Sequence, residues 1–187
     1  MELHKLSDYC VTEDNVAPSD DAVLQLEAAY STLARVSGKT MLRQLIREPD
    51  AVHAKLAALT DALAAYITTA FGVGAEIISL SDPYAQAELI GEPRIRAFAA
   101  PYQLRLLKTV ADSGTSGVLH VCPYSFAHLT DSGALTATEV PTTDGDYRIT
   151  LNEIARESER VIIVGQQCPH VKHAKSVFLL EISNLGE

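Results

Sequence analysis

The stretch "GVLHVCPY", residues 117–124, runs from apolar residues into His120, Val121, Cys122 and Pro123. In a β-strand successive side chains alternate between faces, so His120 and Cys122 share one side and Val121 takes the other. Two metal-capable side chains placed in this way can converge on one ion. Zinc takes thiolate sulfur and imidazole nitrogen in tetrahedral geometry, and a catalytic site keeps one position open. With a more distant cysteine, the pair makes three ligands and leaves the fourth for water or a thiol. A free thiol, with pKa about 8.5, is mostly protonated at neutral pH, and a metal ion removes that proton. The same two residues also read as a small buried hydrophobe beside a satisfied core histidine.

These residues need elements to hold them. The spacing predicts a helix opening at Pro18 and Ser19 and stopped by Gly38, then a shorter one over 39–47. Val52, Leu56, Leu59, Leu63, Tyr66, Ile67 and Phe71 recur at three- and four-residue steps, so residues 50–71 form one long helix. Residues 75–80 are short, β-rich and almost wholly apolar, the pattern of a buried strand. Asp82-Pro83 reads as a helix cap followed by proline in the first turn. A helical region over 92–112 is divided at Pro101, which lacks a backbone donor. The "VLHVC" strand follows, then strands over 135–140, 160–164 and 176–182, with a helix over 149–158.

Strand–helix alternation of this kind predicts a parallel α/β fold, in which chemistry collects at the carboxyl ends of strands. Asp82, His120, Cys122 and Cys168 each lie at or just after a predicted strand end. Asp82 there serves as a catalytic group or a helix cap. Tyr84 and Tyr124 are placed to line the mouth as substrate-binding residues. His128, His170 and His173 read as structural or solvated, the last two as substitutes for Cys168.

The chain has 187 residues and a formal charge of -9, with no block of Lys or Arg. That argues against a nucleic-acid or anionic-membrane partner. No run reaches the roughly 18 apolar residues of a membrane helix, and the first residues carry no signal-peptide pattern. Three cysteines, Cys10, Cys122 and Cys168, are too few for a disulfide framework. The expectation is a cytoplasmic protein of one domain over 1–187, with 1–18 weakly structured.

Residues 39–140 resemble the uroporphyrinogen decarboxylase superfamily, above all its methylcobamide:coenzyme M methyltransferase branch. The segments that carry this are "PDAVHAKLAALTDALAAYITTAFGVGAEIISLSDPYA", "IGEPRIRAFAAPYQLRLLKTVADSG" and "VLHVCPYSFAHLTDSGA". The resemblance implies a TIM-barrel-like (β/α) architecture. A full barrel takes about 250 residues, with roughly 200 a lower bound, so it implies a truncated or partial barrel here. It also implies zinc on His120, Cys122 and Cys168, and a thiol acceptor activated by that zinc. The methyl group would come from a methylcobamide carried by a partner corrinoid protein, since this chain has no "DxHxxG" corrinoid pattern. A homo-oligomer would suit a chain too short to close a barrel alone. Two other readings follow from the same residues: a metal-free decarboxylase-like enzyme acting on a porphyrin-like acid, and a non-catalytic binding or assembly module.

Overall fold

A computed structural model describes residues 23–169, 171 and 173–183. The segment 1–18, the expected helix start at Pro18 and Ser19, Cys10 and His170 lie outside the described residues. Among the described residues, six strands form one mixed sheet in the order β1–β2–β3–β5–β6–β4. Strands β1 (Val23–Glu27), β2 (Ile77–Ser81), β3 (Gly117–Val121) and β5 (Val161–Gly165) run parallel. Strand β6 (Ser176–Ile182) pairs antiparallel with β5, and β4 (Leu135–Pro141) pairs antiparallel with β6. The parallel part is the barrel-like part, and the sheet does not close.

The parallel strands are joined by helical crossovers. Between β1 and β2 lie α1 (Ala29–Ser37), α2 (Met41–Arg47) and the long α3 (Pro49–Gly72). Between β2 and β3 lie α4 (Ala87–Ile90), the segment Glu92–Arg94, a wide π turn (Ile95–Ala99) and α5 (Ala100–Ala111). Pro101 sits in the first turn of α5, where a missing N–H costs nothing, and the π turn before it absorbs the break. Helix α6 (Pro123–Asp131) follows β3 directly, and α7 (Tyr147–Glu157) precedes β5. The Asp146 carboxylate caps α7 by accepting from the backbone N–H groups of Arg148 and Ile149.

Helices α3 and α5 cover one face of the sheet, packing Leu63, Ile67, Leu106 and Val110 against Leu26, Ile78, Leu119 and Val121. In a (β/α) barrel the crossover helices form the outer ring, so the opposite face turns inward. Here that face carries Ile77, Val118, Val164 and Val177, and Tyr147 and Leu151 of α7 fill it. A helix thus occupies the side on which strands would otherwise curl around one another.

Three local expectations are corrected. Val23–Glu27 is a strand and not part of a helix, because "VLQLE" alternates and pairs residue by residue with β2, Leu26 against Leu80. Gly38 does end α1, with φ of 52°. Asp82 does not cap the helix that follows it, since Pro83 and Tyr84 form a turn and α4 begins only at Ala87; its carboxylate instead accepts the Ser31 N–H in the first turn of α1. Residues 123–131 form a helix that the sequence reading left out, because Pro123 looked like the end of a strand when it is the first turn of α6.

Candidate functional site

Asp82 follows β2 and Cys122 follows β3, so the parallel pairing sets both at the carboxyl ends of neighbouring strands. The Cys122 backbone N–H donates to the Leu80 carbonyl at 3.0 Å. Asp82 is 1% exposed. Its Oδ1 accepts from the Ser31 N–H at 3.0 Å and from the Ser31 hydroxyl, and its Oδ2 accepts from Gln103 Nε2. Burial pushes its pKa up to about 6, against the pull of the Ser31 and Gln103 hydrogen bonds. A carboxyl at that value exchanges its proton close to neutrality, the range in which acid–base groups work best.

Gln103 continues the chain of contacts. Its Nε2 also donates to Ser125 Oγ at 3.0 Å, and Cys122 Sγ meets the same hydroxyl at 3.4 Å. Its Oε1 lies 2.6 Å from His128 Nε2. An amide oxygen only accepts, so His128 Nε2 carries the proton in this contact. Burial holds the His128 pKa down to about 4, which keeps the ring neutral. Ser31, Asp82, Gln103, Ser125, Cys122 and His128 form one connected polar cluster. Gln103 orients the groups on either side of it, but an amide of this kind does not itself carry a proton across.

His120 belongs to a different environment. It is fully buried. Nδ1 lies 2.9 Å from Ser79 Oγ, Nε2 lies 2.6 Å from the Gln167 carbonyl, and the ring meets Tyr147 edge-on at 6.3 Å. A carbonyl accepts only, so Nε2 carries the proton and the Nδ1 lone pair faces the Ser79 hydroxyl. Cys168 directly follows Gln167 and is exposed. His173 is exposed on the connection to β6.

The sequence reading treated His120, Cys122 and Cys168 as one ligand set. The fold puts Cys122 with Ser125 and places His120 against Ser79 and Gln167. Among the described residues, no group of three or more His, Cys, Asp or Glu side chains is arranged to hold a metal ion. With both ring nitrogens of His120 engaged, the residues as placed do not fit a zinc centre. Asp82 does not orient His120 either; its partners are Ser31 and Gln103. Tyr84 and Tyr124 are both partly exposed, at 42% and 52%.

The residues missed were Ser31, Gln103 and Ser125, while His128, read as structural or solvated, joins the cluster. Gln103 had a signal: it stands on the buried stripe of α5 with Leu106, Leu107 and Val110, at steps of three, four and seven. A polar residue on such a stripe needs a buried partner.

The family model for uroporphyrinogen decarboxylase (URO-D) matches residues 28–173. The chain therefore belongs to the uroporphyrinogen decarboxylase family. Within it, the chain is similar to methylcobamide:CoM methyltransferase MtbA of Methanosarcina mazei, 28% identical over 140 residues, covering 75% of this chain and 40% of that protein. MtbA of Methanosarcina acetivorans is 25% identical over 182 residues, covering 90% of this chain and 53% of that protein. A methylated-thiol–coenzyme M methyltransferase of Methanosarcina mazei is 32% identical over 98 residues, covering 52% and 26%. The chain spans about half the length, or less, of these relatives. No solved structure matches the chain significantly. No helix among the described residues is long and apolar enough to cross a membrane.

Proposed function

We propose that this chain is a methyltransferase of the family, serving transfer of a methyl group from a methylcobamide on a partner corrinoid protein to a small thiol in the cytoplasm. The observation that carries the reading is the His-x-Cys pair at the end of β3, in a chain whose relatives are named for methyl transfer to CoM. In this reading the thiol must lose its proton before its sulfur takes the methyl group. Zinc is the group that would supply that activation, as a Lewis acid. His120, Cys122 and Cys168 are the ligands proposed for it, with the loop after β5 rearranged from the arrangement described. What the chain's own residues contribute is a buried carboxyl, Asp82, able to hold or release a proton near neutral pH, and a buried thiol, Cys122, fixed by Ser125. Tyr84 and Tyr124 stand at the mouth as the proposed substrate contacts.

A second reading is a binding or assembly module without catalysis. It is favoured by α7 filling the inward face of the sheet and by the full engagement of His120. Metal content of purified protein, wild type against Cys122→Ala, separates the two. About one zinc per chain, lost in the variant, together with methyl transfer from methylcobalamin to a thiol, supports the first. Zinc-free protein after reducing reconstitution, with no transfer, overturns it and leaves the second.

A further inference from the structure

We propose that the cavity between α1, α2 and the loop after β2 binds a small molecule with an apolar body and an anionic head group. The cavity encloses about 360 Å³, within the range of organic-ligand pockets, about 300–1,000 Å³. Its lining shares Tyr84 with the proposed substrate contacts but includes neither His120 nor Cys122.

The walls define the body of the ligand. Met41, buried at 4%, lies within, and Leu42, Tyr84 and Leu89 stand at the cavity exposed at 51%, 42% and 56%. Large apolar side chains gathered around one concavity mark a binding site far better than the same residues scattered singly. Tyr30 forms part of the wall and is 2% exposed, and its hydroxyl has no hydrogen-bond partner among the described residues. A buried donor without a partner is costly, and it lies in a residue that forms this wall. Burial, then the nearby Asp82 charge, push its pKa up to about 12, so the hydroxyl remains a donor.

The charges define the head group. Arg35 lines the cavity with its guanidinium fixed by Glu27: Nε donates to Oε2 at 2.9 Å and Nη2 to Oε1. The Arg35 side chain is half exposed at the cavity. Glu27 offsets one positive charge, and Lys39 and Arg43 adjoin the lining residues Gly38 and Leu42. Residues 28–47 contain Arg35, Lys39, Arg43 and Arg47 and no carboxylate, in a chain of net charge -9. The carboxylate nearest in sequence to the other lining residues, Glu88, adjoins Leu89 of α4, so the anion belongs on the α1–α2 side.

The test titrates the full chain with naphthalene-1-sulfonate and with neutral 1-naphthalenemethanol by calorimetry. The sulfonate is expected to bind at one site, several-fold more tightly than the alcohol. Ala34→Leu, which fills the wall, is expected to weaken both by about tenfold. The double variant Lys39→Gln/Arg43→Gln is expected to weaken the sulfonate and leave the alcohol unchanged. Circular dichroism confirms that each variant is folded; should Ala34→Leu fail to fold, Leu42→Asn on the exposed rim replaces it, with about a threefold loss expected. The proposal is overturned if neither probe binds, if both bind the wild type equally, or if the wall variants bind as the wild type does.

Discussion

Asp82 and His128 hold opposite ends of one side-chain amide. Gln103 donates its Nε2 to Asp82 and accepts at Oε1 from His128 Nε2, 2.6 Å away. Burial moves the two groups in opposite directions, Asp82 up to about 6 and His128 down to about 4. The Asp82 shift is upward, so its contribution to stability is full at low pH and declines as pH rises from about 4 to about 6. The His128 shift is downward for a base, so its contribution is full above about 6.5 and is lost as pH falls toward 4. Over one window the two slopes oppose each other. Melting temperatures from pH 4 to 7 should show the gap between wild type and Asp82→Asn narrowing as pH rises. The gap between wild type and His128→Gln should widen over the same range. Parallel curves for both variants would show that neither group titrates as described.

Gln103 has the largest set of dependents in the cluster. Gln103→Leu leaves Asp82 short of one donor and Ser125 and His128 short of a partner, all in buried or half-buried positions. Loss of a partner to a buried polar group costs about 1–3 kcal/mol, more for a charged one, so a loss of about 3 kcal/mol is expected in urea unfolding. Gln103→Glu sets a second carboxyl against Asp82. Its penalty should grow with pH above about 6, as Asp82 ionises, whereas that of Gln103→Leu should not.

The ligand set can be tested one residue at a time. Cys168 is exposed, and Cys122 is buried against Ser125. Cys168→Ser should change stability by less than about 0.5 kcal/mol, as surface substitutions do. Cys122→Ala should cost about 1 kcal/mol through lost packing. If the zinc reading holds, both variants lose metal in elemental analysis despite this difference in stability. Retention of zinc by Cys168→Ser would move the third ligand elsewhere.

Gly117 begins β3 with φ of 136°. A Cβ there would lie 2.7 Å from Phe71 Cε1 and 2.9 Å from the Glu76 carbonyl. The ring can shift only by disturbing the core, and the carbonyl receives the Val118 N–H. Gly117→Ala combines backbone strain with overpacking, each about 1–3 kcal/mol. The melting temperature should fall by well over 5 °C, about what 1–2 kcal/mol produces in a domain of this size.

Much of the chain was legible from local pattern. The α3 stripe is buried at Val52, Leu56, Leu59, Leu63, Ile67 and Phe71, with Tyr66 alone turned partly outward. Strands β2, β3 and β5 fall close to where their apolar runs lie, because burial on both faces requires such runs in a covered sheet. The strand β1 was misread because five residues carry too little periodicity to outweigh the helix signals around them. Strand order was not legible: β4 follows β3 in the chain yet lies at the far edge, paired with β6. Register and neighbour choice depend on packing between distant segments, which spacing along the chain does not encode.

The site divides in the same way. His120, Cys122 and Asp82 could be placed at strand ends from sequence, since parallel strands deliver their terminal residues to the same end. Their partners could not. His120 faces Ser79 and the Gln167 carbonyl, whereas Cys122 reaches Ser125 because the chain bends into α6 immediately after it. Residue type and order determined which groups stand at the carboxyl ends of the strands. Only the tertiary structure decided which of them touch, because a buried polar side chain takes the partner that neighbouring helices bring within about 3 Å.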